Sequence, residues 1–231
     1  SFITGVSGSG KSILAKQEII NLYLSDKDAD IIIIAVKPWR VESVIEKIKP
    51  VLDIKKQIVI SIAGGVSLDE LKGYFSKGSM QKQQFCPVIF RVIPNIAIEV
   101  KCSMTFISAY NASQEQIDLV TSIFNEVGHA LFVEERLMTA GTSLASSGIA
   151  FALRYVRAAI EGGVELGFYP KEAQDIVINT VKGAITLLAE HNSNPESEID
   201  KVTTPGGTTI RGLNEMELSG FTSSVIRGLK A

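Results

Sequence analysis

The sequence predicts an α/β fold in two parts: a Rossmann-type, doubly wound domain over 1–132, incomplete at its start, and an all-helical domain over 133–231. Three observations predict it. An uninterrupted apolar and largely β-branched run lies at 31–36, as in a strand covered on both faces of a parallel sheet. Strand-like and helix-like segments then alternate at the spacing of doubly wound domains. Beyond Glu134 the strand signal fades and long helical segments take over. With 231 residues, 45% hydrophobic and 21% charged, the chain has material for one large core or two smaller ones.

Asp30 opens the first strong strand, and Pro38 closes it. A helix follows, in which Val41, Val44, Ile45 and Ile48 share one side. Residues 57–62 form the next strand and run out into Ala63-Gly64-Gly65, a breaker that frees the backbone to turn. Val88–Ile93 and 104–109 read as further strands and 113–127 as a helix. In the second part, 147–166 is apolar around most of its circumference (Ile149, Phe151, Leu153, Val156, Ile160), interrupted mainly by Arg154 and Arg157. Such a helix needs covering by a partner as well as by its own domain. Helices are expected again over 171–190 and 214–231, separated by the polar stretch "HNSNPESEIDKVTTPGGTTIRGL".

Composition narrows the function. A net charge of −2 and no basic cluster interleaved with aromatics argue against nucleic acid as a partner. The run at 31–36 is too short to cross a bilayer and no charged-then-apolar leader precedes it, so no membrane partner is expected. Cys86 and Cys102, far apart, suggest neither a disulfide framework nor a metal knuckle, which points to a reducing, cytoplasmic compartment. Two histidines, His129 and His191, read as surface or helix-end imidazoles, and no metal site is expected.

Two stretches carry ligand-binding signals. "GVSGSGKS" at 5–12 matches the phosphate-binding loop of nucleotide triphosphatases, whose glycines let backbone N–H groups surround phosphate oxygens. That reading also needs an apolar strand ending in an acidic residue for magnesium. The strong strands here run out instead into Lys37, into Ala63-Gly64, and through Arg91 to Pro94. At 202–217 lies "VTTPGGTTIRGLNEME": Pro205 fixes a turn, Gly206 and Gly207 allow close backbone approach, and two threonines start a helix. A helix N-terminus with free N–H groups suits a carboxylate, although threonine capping alone would also explain the pattern.

This last stretch resembles the C-terminal signature of pyrroline-5-carboxylate reductases, which reduce a cyclic imino acid to L-proline with NAD(P)H. The resemblance extends to Ala35-Val-Lys-Pro38, Ser61-Ile-Ala-Gly-Gly65, Arg91-Val-Ile-Pro-Asn95 and "LASSGIAFALRYVRAAIEGGVELGF", covering the chain from about Asp28 onward. It implies NADP (as NADPH) or NAD as cofactor, held by Ala35, Val36, Lys37, Pro38, Ile62, Ala63 and Gly64; alone, Lys37 would read as a strand-end charge. It implies that Gly206, Gly207 and Thr208 receive the substrate carboxylate and that Thr209 serves the imine nitrogen. Glu135 and Thr142 match positions lining the same cleft. It further implies a homodimer with interleaved helices, or a larger ring of such dimers. The sequence departs from the family at Ile149, where proline is usual, at Ser146 in place of glycine, and at Ile96-Ala97 in place of threonine-proline.

The opening loop fits this family in two ways. Either Gly8 to Ala15 is the dinucleotide turn after the first strand, or residues 2–6 are the second strand, 7–11, with Ser7, the turn that reads the adenosine ribose, and 20–26 the third strand. The second alignment is preferred because 20–26 continues the resemblance, and it implies further chain upstream. Lys11 would then face the 2′-phosphate of NADP or solvent. Competing readings are the triphosphatase, a hydroxy-acid reductase, which should carry a catalytic lysine in the long helix although 147–166 has none, and a non-catalytic assembly module.

Overall fold

The computed structural model describes residues 29–77 and 86–231, which fall into two compact units, one ending at Ser146 and the other Ser147–Ala231. The opening loop, with Ser7 and Lys11, lies outside the described residues.

Among the described residues, the first unit holds a five-stranded sheet in the order β1 (Ile31–Ile34), β2 (Ile58–Ser61), β3 (Val88–Ile93), β4 (Ser103–Tyr110) and β5 (Gly128–Phe132). Strands β1, β2 and β3 run parallel, β4 runs antiparallel to β3, and β5 is parallel to β4. Reversal at β4 follows from its connection, which is a single 3-10 turn at Ile96–Val100 rather than a crossover helix. Successive side chains point to opposite faces, and both faces are covered. On one, Ile32, Ile34, Val59 and Ile89 pack with Val41, Ile45 and Ile48 of α1 (Val41–Ile48) and Leu71 and Phe75 of α2 (Leu68–Ser76). On the other, Ile58, Ile60, Phe90, Val92 and Ile107 pack with Val120 and Phe124 of α3 (Gln114–Asn125). Strand β2 is therefore buried at every position, and each such isoleucine or phenylalanine contributes roughly 1.5–3 kcal/mol.

Gln57, buried just before β2, donates to the Ala29 carbonyl at 2.7 Å and accepts the Asp53 amide at 2.9 Å. Gly128 starts β5 at φ 148°, where a Cβ would collide with the Ser103 backbone, so only glycine fits. After β5 come a 3-10 turn, Glu135–Leu137, then α4 (Met138–Gly141) and one π-helical stretch, Thr142–Ser147.

The second unit is all helical: α5 (Gly148–Glu165), α6 (Pro170–His191), α7 (Pro195–Lys201), α8 (Thr208–Leu218) and α9 (Phe221–Lys230). A short turn joins α5 to α6, and the two approach closely where Gly163 faces Ala173. The helix expected over 214–231 is two helices that break at Gly220, which takes φ 80° and so cannot continue α8. Alone among the hydrophobic residues of this unit, Ala173 is buried, whereas Leu166 and Leu218 are each 83% exposed. Among the described residues no helix is long and apolar enough to cross a membrane.

Candidate functional site

Parallel strands β1 and β2 end side by side, and the chain leaving each forms one wall of a cleft of about 400 Å³. Its lining is Ala35, Val36, Lys37 and Pro38 after β1, and Ile62, Ala63 and Gly64 after β2. The carboxyl ends of parallel strands are where an open α/β sheet binds ligands, because the backbone diverges there and leaves N–H groups unpaired. A Cβ added at Gly64 would meet nothing within 4 Å, so the glycine keeps space open rather than avoiding a clash. Lys37 is exposed and sets a cation on the cleft wall, suited to an anionic ligand. Trp39, the chain's sole tryptophan, follows this wall and is 76% exposed.

The turn after the cleft enters α2 through a reciprocal cap. Ser67 Oγ accepts the Glu70 amide at 3.2 Å, and the Ser67 amide donates to the Glu70 carboxylate at 2.8 Å. These bonds from the Ser67 backbone and hydroxyl, with a smaller contribution from nearby Arg91, hold the Glu70 carboxyl below its ordinary range.

Glu135 lies at the 3-10 turn after β5. Its Oε1 accepts Nη1 of Arg91 at 2.7 Å and the Leu68 amide at 3.0 Å. Thr142, in the π-helical stretch, donates its hydroxyl to the Met138 carbonyl at 2.8 Å. Asn95 is buried and donates to the Ala145 carbonyl at 3.4 Å, while its Oδ1 accepts the Ala97 amide at 3.1 Å. A proline at 97, usual in the resembled family, could not donate that bond, so this departure adds a local tie. Ile149 lies where the π-helical stretch runs without a break into α5, inside a continuous helical run, so its backbone N–H can join the helix ladder, which a proline could not.

In the second unit, Gly206 takes φ 70° and Gly207 is the N-cap of α8, with no side chain capping the helix. Thr208 and Thr209 are its first two residues. Arg211 donates Nη2 to the Gly206 carbonyl at 2.9 Å and Nε to the Gly207 carbonyl at 3.4 Å. Those bonds turn the two carbonyls toward Arg211; the Gly207 amide donates to the Thr204 carbonyl at 2.9 Å, and the amides that follow it at the helix start suit an anion. A Cβ at Gly207 would lie 2.5 Å from Thr204 Oγ1 and 3.1 Å from its carbonyl oxygen, so a side chain there would displace Thr204.

The structure thus gathers seven of the eight expected dinucleotide residues around one cleft, the eighth, Ser7, lying outside the described residues, and sets Gly206, Gly207, Thr208 and Thr209 at one helix start. It places Glu135 beneath the start of α2 and Thr142 in a helix back-bond. Sequence reading missed the partners of Glu135 and the Arg211 clamp. For the clamp a signal existed, since Arg211 stands four residues after Gly207, the spacing at which helix neighbours meet.

Comparison with known proteins adds the following. Residues 135–231 match the model of the pyrroline-5-carboxylate reductase dimerisation family, and residues 2–122 match that of the ketopantoate reductase PanE/ApbA family. Pyrroline-5-carboxylate reductase 1 of Dictyostelium discoideum is 35% identical over 93% of this chain, which spans only 40% of that relative. Pyrroline-5-carboxylate reductase 2 of the same organism is 36% identical over 90% of this chain and 72% of the relative. The crystal structure of Plasmodium falciparum pyrroline carboxylate reductase with NADP bound superposes with a TM-score of 0.77 at 25% identity, covering 88% of this chain and 74% of that one.

Proposed function

Since the chain belongs to the pyrroline-5-carboxylate reductase family, we propose that it reduces 1-pyrroline-5-carboxylate to L-proline with NADPH or NADH, the last step of proline biosynthesis. The observation that carries this reading is the cleft at the carboxyl ends of β1 and β2, lined by Ala35 to Pro38 and Ile62 to Gly64. The cleft fits part of a dinucleotide: it is open, its glycine wall leaves room for close approach, and Lys37 offers charge to a phosphate. When bound, the nicotinamide supplies the hydride.

The chain's own residues do the rest. The backbone of the Gly206-Gly207-Thr208 loop holds the substrate carboxylate and so fixes one end of a small ring; to take part, the Gly207 amide exchanges its bond to the Thr204 carbonyl for the ligand. As hydride reaches the imine carbon, the C=N electron pair moves onto the ring nitrogen, which takes up a proton and becomes the secondary amine. Thr209 presents its hydroxyl to that nitrogen and stabilises the charge change in the transition state more than in the ground state. Glu135 and Thr142 shape the cleft's border. Dinucleotide binding falls to 1–132, and substrate binding and dimerisation to 133–231.

The chain works as a homodimer, or as a ring of such dimers, in the cytoplasm. Supporting this are the open apolar face of α5, including Leu153 at 60% exposure, and the two free cysteines. Purified protein should consume NADPH only when pyrroline-5-carboxylate is added, and light scattering should give at least a dimer at micromolar concentration. Absence of substrate-dependent NADPH consumption by the folded dimer would refute the reading.

A further inference from the structure

We infer that Arg91 is a positioning residue for dinucleotide binding, acting through Glu135 on the turn that forms one wall of the cleft. The inference rests on the reductase reading above. Arg91 is 7% exposed in β3, directly beside Ser61 of β2 in the sheet register. From Ser61 the chain runs through Ile62, Ala63 and Gly64, which line the cleft, then Gly65 to Ser67, and reaches Leu68 at the start of α2. The far end of this turn is tied to the same arginine, because the Leu68 amide donates to the Glu135 oxygen that Arg91 grips at 2.7 Å. Arg91 therefore gauges both ends of the turn. Ala63 and Val66 seat this turn on the core, while its glycine tip lacks packing: a Cβ at Gly64 or Gly65 would meet nothing within 4 Å, and Gly65 takes φ 80°.

The ion pair is poorly built for stability alone. Arg91 and Glu135 meet through one oxygen instead of a two-bond fork, and Arg91 Nε and Glu135 Oε2 are buried without a partner. Arg91 is buried and Glu135 half-buried, and pairs taken this far out of water often add little over an apolar replacement, because desolvation offsets the attraction. What an apolar pair could not supply is an acceptor at the Leu68 amide with its position fixed from β3. Glu70 nearby is already committed to Ser67 and cannot replace it.

Two variants test this. In Arg91→Met the cation is lost at similar volume, and in Arg91→Lys the charge stays but the planar head goes. Hydrogen exchange read without cofactor should show the Leu68 amide exchanging about tenfold faster or more in Arg91→Met, while Val59 and Ile60 in β2 keep their protection. Displacing the cleft wall should raise the Kd and KM for NADPH roughly five- to fiftyfold, with kcat at saturating NADPH changed by less than about threefold, since no reacting group has moved. Arg91→Lys should fall between Arg91→Met and the unmodified chain in both readouts, and it also serves if Arg91→Met does not fold. A lowered melting temperature with unchanged Leu68 exchange and unchanged KM for NADPH would overturn the inference and leave Arg91 a structural residue. If the unmodified chain takes no NADPH, the reductase reading fails first; the exchange data still show whether the clamp exists, but its assigned consequence goes.

Discussion

The cleft on the sheet and the glycine loop at the start of α8, the two regions proposed to hold ligands, are built by opposite means. The cleft's walls leave two strands packed on both faces, so Ala35 to Pro38 and Ile62 to Gly64 inherit their positions from a core that includes Ile34 and Ile60. The loop has no such support. Gly206 and Thr208 are exposed, Arg211 clamps two of its carbonyls, and the surrounding unit buries one hydrophobic residue, Ala173. A site on a parallel sheet is preorganised within one chain, whereas this helix-start site depends on local clamps and on whatever covers the open apolar faces of its unit.

The largest expected effect separates the two regions by chemistry. Thr209→Val keeps the branched shape and deletes the donor, so kcat for pyrroline-5-carboxylate should drop roughly ten- to a thousandfold with NADPH affinity unchanged. If Thr209 only assists the helix start, kinetics beside a thermal melt will instead show intact turnover and a stability loss of about 1 kcal/mol.

A pair of glycine substitutions sharpens the contrast. Gly207→Ala drives a methyl against Thr204 and must shift the loop, so KM for the imino acid should rise roughly ten- to a hundredfold while the NADPH Kd holds. Gly64→Ala meets open space and should leave the melting temperature unchanged or slightly higher. Its methyl intrudes on the dinucleotide wall, so the NADPH Kd should rise about three- to tenfold with the imino-acid KM unchanged. Equal effects of the two variants on both ligands would erase the distinction between the regions.

How much of this could be read from sequence depended on what each element is made of. The strand at 31–36 and α1 were legible because apolar residues there follow one period without interruption. Strand β5 was not, since Gly128–Phe132 buries only Ala130 and shows no alternation. Helix α2 went unread although its Ser67-x-x-Glu70 cap was a usable start signal. The cleft residues and the Thr209 loop came from the family resemblance, with strand-end geometry supporting the first. Nothing local links Arg91 to Glu135, 44 residues apart, because that contact exists only once β3 lies beneath the start of α2.

The smallest effect belongs to acid. Glu198 of α7 is held at a pKa of about 2, against an ordinary 4.5, chiefly by Lys201, then by Ser193 and, more weakly, by His191. A carboxylate whose folded pKa is depressed stabilises the fold above its unfolded pKa, and that contribution is lost as pH falls from about 4.5 through about 2. Glu198→Gln should therefore melt slightly lower than the unmodified chain near neutral pH, and the gap should close by about pH 2. A gap that persists or widens in acid would contradict this assignment.

Isotope transfer tests the central claim most directly. Protein supplied with pyrroline-5-carboxylate and NADPH deuterated at its transferable hydrogen should yield L-proline carrying one deuterium on the carbon that had been the imine carbon. Proline without label, or no proline from folded, dimeric protein, would contradict hydride transfer from the dinucleotide to the imine carbon.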